Sequence, residues 1–108
     1  MQKGATVNHS DKRDRRPLHW AASRNHDDVA RLLLQHGADV DPTDKDGFTP
    51  LHAAAAAGAQ LVVQLLLEEG ADVDAANSSG NTATHIACLN GHDEGNTHLI
   101  YRLQARLR

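Results

Sequence analysis

Eight histidines and one cysteine in 108 residues are the first side chains in this sequence able to do chemistry. Imidazole nitrogen and thiolate are zinc ligands, and the tightest grouping is His85, Cys88, His92 and His98. Their spacing matches no common zinc pattern, so a metal site is not expected. Catalysis would need a nucleophile beside a base, a carboxylate pair in a cleft, or a glycine loop cradling phosphate. The nearest approach is His92, Asp93 and Glu94, adjacent residues on one loop whose side chains point in different directions. No enzyme and no cofactor is expected. What remains is the chemistry of contact. Lys12, Arg13, Arg15, Arg16 and Arg24 form a basic cluster close to Trp20, and arginine and aromatic rings dominate binding surfaces.

These residues need a framework, and composition limits what it can be. The chain is 40% hydrophobic but only 3% aromatic, so its core must come from Ala, Leu and Val, which favours closely packed helices. Its length allows one structural unit. Eleven basic against 14 acidic residues, a formal charge of -3, give no overall field to attract nucleic acid or a membrane surface. A lone cysteine forms no internal disulfide, and small secreted domains usually need such staples, so cytosol or nucleus is the expected location. Met1–Ser10 has no apolar run, and no stretch approaches the roughly 18 apolar residues of a membrane span.

The framework is repetitive. Asp11–Thr43 and Asp44–Ala76 align without a gap at a spacing of 33 residues, with identity at 16 positions. The offset carries His19 to His52 to His85, Ala21 to Ala54 to Ala87, and Gly37 to Gly70, so a third copy begins at Asn77. Gly4, Ala5, Val7 and Asn8 stand one period before Gly37, Ala38, Val40 and Asp41 and read as the tail of an earlier copy. The expected organisation is an N-terminal arm over 1–10, repeats over 11–43 and 44–76, and a divergent capping or truncated repeat over 77–108. The arm favours a chain cut or spliced from a longer array.

Asp44-Lys-Asp-Gly-Phe-Thr-Pro-Leu-His-Ala-Ala-Ala, followed by Leu65-Leu-Leu-Glu-Glu-Gly-Ala-Asp-Val-Asp, resembles the ankyrin repeat almost letter for letter. The resemblance spans residues 4 to about 94. It implies an all-α solenoid of stacked helix-turn-helix units joined by short β-hairpin or turn fingers. It also implies that His19, His52 and His85 bond backbone and tie neighbouring repeats together.

The residues support helices on their own terms. Thr49 can cap a helix with Pro50 at its first position, Gly58 breaks it, and a second helix is expected from about Leu61 to Glu69, ended by Gly70. Val62, Leu65 and Leu66 should be buried, and Ala53, Ala54 and Ala55 let neighbouring helices approach. In the first copy Arg16 stands where Thr49 caps, and Asn25 replaces the interhelical glycine. In the third, Ala83 and Thr84 replace Pro50 and Leu51, and Gly95, Asn96 and Thr97 replace an apolar helix start. A helix is still expected from about Thr97. Cys88, matching Ala55, reads as a small buried hydrophobe.

In ankyrin arrays the finger tips and the exposed side of each first helix form a concave face that grips proteins. Here that face implies Lys12, Arg13, Arg15, Ser23 and Arg24 from the first copy. The second contributes Lys45, Asp46, Phe48, Ala56 and Ala57. The third contributes Ser78, Ser79, Asn81, Leu89 and Asn90. Trp20, Ala53 and Ile86 lie at its inner edge, and Arg13, Arg15, Trp20 and Phe48 are the expected anchors, with partial packing as the competing role of the two rings.

The function expected is therefore a non-catalytic adaptor or scaffold, monomeric, whose protein partner carries an acidic segment. The alternative is a structural spacer from a longer array with no ligand of its own. Asp11-Lys-Arg-Asp-Arg-Arg-Pro-Leu-His-Trp-Ala-Ala, with Gly80-Asn-Thr and Ala87-Cys88, is similar to the long ankyrin-repeat regulatory subunits of protein phosphatase 6. That likeness implies scaffolding of a phosphatase and its substrates.

Overall fold

The structure, a computed structural model, describes residues 9–90, with the side chain of Asn90 set aside. The expected arm over Gly4–Asn8, the helix from Thr97, and His92 and His98 lie outside them. Five helices occur among the described residues: α1 (Pro17–Ser23), α2 (Asp27–Gln35), α3 (Pro50–Ala57), α4 (Gln60–Glu68) and α5 (Ala83–Asn90). α1 packs on α2 and α3 on α4 as two helix pairs, while α1, α3 and α5 stack in one row and α2 and α4 in a second.

Proline at the first position starts α1 and α3, while α5 begins at Ala83, and a local acceptor helps start each of these inner helices. The Thr49 hydroxyl accepts the His52 N–H at 3.3 Å while His52 Nδ1 accepts the Thr49 N–H at 3.1 Å. Thr82 and His85 repeat this arrangement at 3.4 and 3.3 Å. Arg16 offers no acceptor, so in α1 only His19 Nδ1 persists, accepting the Arg16 N–H at 2.9 Å. α3 and α1 turn into their outer partners through a left-handed residue, Gly58 at φ 68° and Asn25 at φ 55°. α4 starts one residue earlier than expected and stops at Glu68, with Gly70 following at φ 88°.

The core follows the repeat. Leu18, Ala22, Leu51, Ala54, Ala55, Val62, Val63 and Leu66 are sealed from solvent, and the alanines allow α1, α3 and α5 to pack closely. Two expectations for the third copy need correction. Cys88 is exposed, although its counterpart Ala55 is fully buried, because no further helix among the described residues covers that side of α5. His85 is exposed too, and among the described residues its ring engages only Thr82 rather than tying two repeats.

The fingers are turns, with no strand among the described residues. Asp11, Asp44 and Asn77 each accept two backbone N–H groups on one side-chain oxygen: Arg13 and Arg15, Asp46 and Phe48, Ser79 and Asn81, all at 2.8–3.0 Å. Successive fingers are joined main chain to main chain, Lys45 N–H to the Arg13 carbonyl and Ser78 N–H to the Asp46 carbonyl, both at 3.0 Å.

Candidate functional site

Between the first two fingers and the inner helices lies a cavity of about 110 Å³, lined by Arg15, His19, Trp20, Ser23, Asp44, Phe48 and Ala53. Four expected site residues, Arg15, Trp20, Ser23 and Phe48, meet there. Trp20 is the feature that defines it. Its ring remains 40% exposed, against the ordinary expectation for tryptophan, because its counterpart is the small Ala53 and nothing on α3 closes over it. The Arg15 guanidinium lies 4.4 Å and that of Arg24 5.6 Å from the ring centroid, so two cations hold the indole in place by its electron-rich face. Ser23 adds order from below, its hydroxyl donating to the Trp20 carbonyl at 2.9 Å.

Phe48 is half-buried, packs on the core and meets the His52 ring edge to face at 5.6 Å. It thus both packs and lines the cavity. Its carbonyl accepts from His19 Nε2 at 2.8 Å, and since Nδ1 is already an acceptor, the His19 proton sits on Nε2. Burial lowers the affinity of His19 for a second proton, more than the Phe48 carbonyl restores it. His52 makes the matching bond to the Asn81 carbonyl at 2.9 Å.

Part of the basic cluster is paired. Arg13 meets Asp46 at 3.3 Å, Arg15 meets Asp11 at 3.0 Å and Arg16 approaches Asp39 at 3.8 Å. Burial pushes the Asp11 carboxyl up, but the Arg15 and Arg13 backbone N–H groups and the Arg15 guanidinium outweigh it and hold the group below the usual carboxylate range. Lys12, Arg24 and Lys45 have no anionic partner among the described residues.

The other expected residues lie outside the cavity. Lys45 and Asp46 occupy the second finger tip, Ser78 and Ser79 the third, and Asn81 is half-buried with its carbonyl engaged by His52. Ala56 is half-buried on α3, Leu89 is exposed on α5 and Asn90 ends that helix. His19 and Asp44 were not foreseen as lining residues. The signal was present: residues one period apart are neighbours, which also predicts the Arg13–Asp46 pair.

No cluster of three or more metal-ligating side chains occurs among the described residues. Likewise none of their helices is long and apolar enough to cross a membrane.

Comparison with known families agrees with this geometry. A family model described as ankyrin repeats (3 copies) matches the chain twice, over residues 1–77 and 41–106. The chain belongs to the ankyrin-repeat family, whose members are generally non-catalytic protein-interaction modules. No curated protein matches it.

Proposed function

We propose that this chain is a non-catalytic adaptor that binds a partner protein through its concave face, in the cytoplasm or nucleus, with the units 1–10, 11–43, 44–76 and 77–108 as its parts. The observation carrying this reading is the exposed Trp20 beside an open cavity, held by two arginines. A large ring kept half in water by a rigid support has little to gain from folding and much to gain from being covered by a partner. Lys12, Arg24 and Lys45, with no internal counter-ion among the described residues, favour an acidic partner segment. The solvent-exposed Arg13–Asp46 pair is weak enough to exchange one carboxylate for another. The narrower role of scaffolding protein phosphatase 6 rests on the likeness carried by residues 11–22, 80–82 and 87–88.

The test begins with a pull-down from cell extract, followed by surface plasmon resonance with the captured partner. Arg13→Glu with Arg15→Glu should slow association and flatten its salt dependence, while Trp20→Ala should mainly speed dissociation. Phe48→Ala should act as Trp20→Ala does, with some loss of stability besides. A chain that is only a spacer would retain no partner through this face, and binding indifferent to all these changes overturns the proposal.

A further inference from the structure

The Trp20 cavity lies between two neighbouring units rather than at an end of the stack. Arg15, Trp20 and Ser23 of the first unit and Phe48 and Ala53 of the second build its wall. Its lining is mostly carbon, and its volume is about 110 Å³. For scale, truncating a core leucine to alanine leaves a dry cavity of about 150 Å³ that takes up small hydrocarbons. The space therefore suits one branched aliphatic side chain of leucine or isoleucine size, and an indole overfills it. Such a side chain would cover the surface of Trp20 that now faces water.

The charges around the ring decide what can accompany that side chain. The guanidinium groups of Arg15 and Arg24 stand 4.4 and 5.6 Å from the Trp20 centroid, so a lysine or arginine entering here meets repulsion rather than a free aromatic face. Arg15 keeps Asp11 at 3.0 Å through Nε. The carboxylate in the wall, Asp44, accepts the Asp46 and Phe48 N–H groups on Oδ1 and so serves its own finger. Arg24 has no anionic partner among the described residues, and neither do Lys12 and Lys45 on the two finger tips. In an extended chain, side chains two residues apart point the same way and lie about 6 to 7 Å from one another. A carboxylate two positions from an aliphatic side chain seated on Trp20 is thus within range of Arg24.

We infer that this face takes an extended acidic peptide segment whose central leucine or isoleucine fills the Trp20 cavity, with an aspartate or glutamate two residues away meeting Arg24. The inference rests on the adaptor reading and narrows it. The acidic flank brings the segment in, the aliphatic side chain holds it, and segments without that pairing are rejected.

Trp20 is the single tryptophan of the chain, so its own emission reports occupancy of the cavity. The probe is the blocked peptide Glu-Ala-Glu-Ala-Leu-Ala-Glu-Ala-Glu, titrated into the full chain at low salt. It should shift the emission to the blue in a saturable way, and alanine in place of its leucine should weaken binding at least about tenfold. A central lysine should bind no better than alanine, and a central tryptophan should bring no gain over leucine. Arg24→Glu, at an exposed position, should weaken the leucine peptide about threefold or more. Ala53→Leu should fill the cavity from within, shift the emission of the free protein to the blue and leave the leucine and alanine peptides equal. Circular dichroism should be unchanged for both variants, and Ser23→Leu at the exposed rim replaces Ala53→Leu if that chain does not fold. No saturable shift, equal binding of the leucine and alanine peptides by the wild type, or a preference for central lysine overturns the inference. The adaptor reading is decided separately, by whether a partner captured by the wild-type chain is lost on Trp20→Ala. A partner that depends on Trp20 yet is indifferent to Ala53→Leu sinks the aliphatic occupant alone.

Discussion

The first and second units share one template and put it to different uses. In the second, Thr49 caps α3, Gly47 and Gly58 take the left-handed positions, and Val62 and Leu65 are covered. In the first, Arg16 gives no cap, Asp14 and Asn25 take the left-handed positions, and Val29 and Leu32 face water. The first unit also carries the exposed Trp20 and most of the arginines. The lesson is a division of labour. The second unit, flanked on both sides, can satisfy every framework preference, while the first keeps side chains that serve contact at some cost in stability.

The largest test of this difference is a matched pair of core truncations. Leu66→Ala, at a fully buried site, should cost about 2 to 5 kcal/mol, while Leu33→Ala, its counterpart at 6% exposure beside the open face, should lie at or below the lower end. Urea denaturation followed by the single tryptophan reports both, and equal losses would erase the distinction.

Gly47→Ala comes next. Its φ of 79° strains any side chain, and a Cβ there would lie 2.9 Å from the Ser78 nitrogen in the next finger. A loss of about 1 to 3 kcal/mol is expected. Asp14→Gly, at the equivalent turn with φ 62°, should instead leave stability equal or slightly higher. Melting curves that moved the same way for both would contradict this.

Arg16→Thr should raise stability by about 1 kcal/mol by restoring the cap that Thr49 provides in α3. The ion pair it gives up, at 3.8 Å to an exposed Asp39, is weak, and Arg16 Nε is buried without a hydrogen-bond partner. A lower urea midpoint would mean that the guanidinium holds the first helix in some other way.

Acid should bring a smaller, graded loss through His19. Burial keeps its folded form neutral, so its contribution is complete above the ordinary histidine value of 6.5. As pH falls below that value, the unfolded chain takes up the proton first and stability declines until the folded ring is protonated. His19→Asn should flatten the fall in urea midpoint between about pH 8 and pH 5. An unchanged slope would remove His19 as its source. At the bottom of the scale, EDTA should leave the melting temperature where it was, and a fall would revive a metal site at His85, Cys88, His92 and His98.

Most of the framework was legible because a 33-residue period repeats each local signal: Pro50 after Thr49, Gly58, Gly70 and the leucines of α4. The exceptions have one physical origin. His85 and Cys88 repeat residues that are buried in the middle of the stack, but burial depends on the neighbour, which the period does not encode. Residue type left Trp20 between anchor and packing for the same reason, since tryptophan favours burial while its exposure is decided by the small Ala53 across the cavity. The ion pairs of Arg13 and Arg15 were missed because the arginines were counted as a cluster before their carboxylates, Asp46 one period on and Asp11 four residues back, were placed beside them.

The finger joints bear on how such a surface can change over generations. Lys45 and Ser78 enter the joint through their N–H groups, and Arg13 and Asp46 through their carbonyls, so the side chains at those tips are not needed to make it. A substitution there alters what the tip displays while the spacing of the tips persists, provided the residue is not proline and the left-handed position remains Gly47 or its equivalent. New specificities can therefore be sampled one tip at a time without first rebuilding the scaffold, and neutral drift at these positions supplies the raw material for new partners.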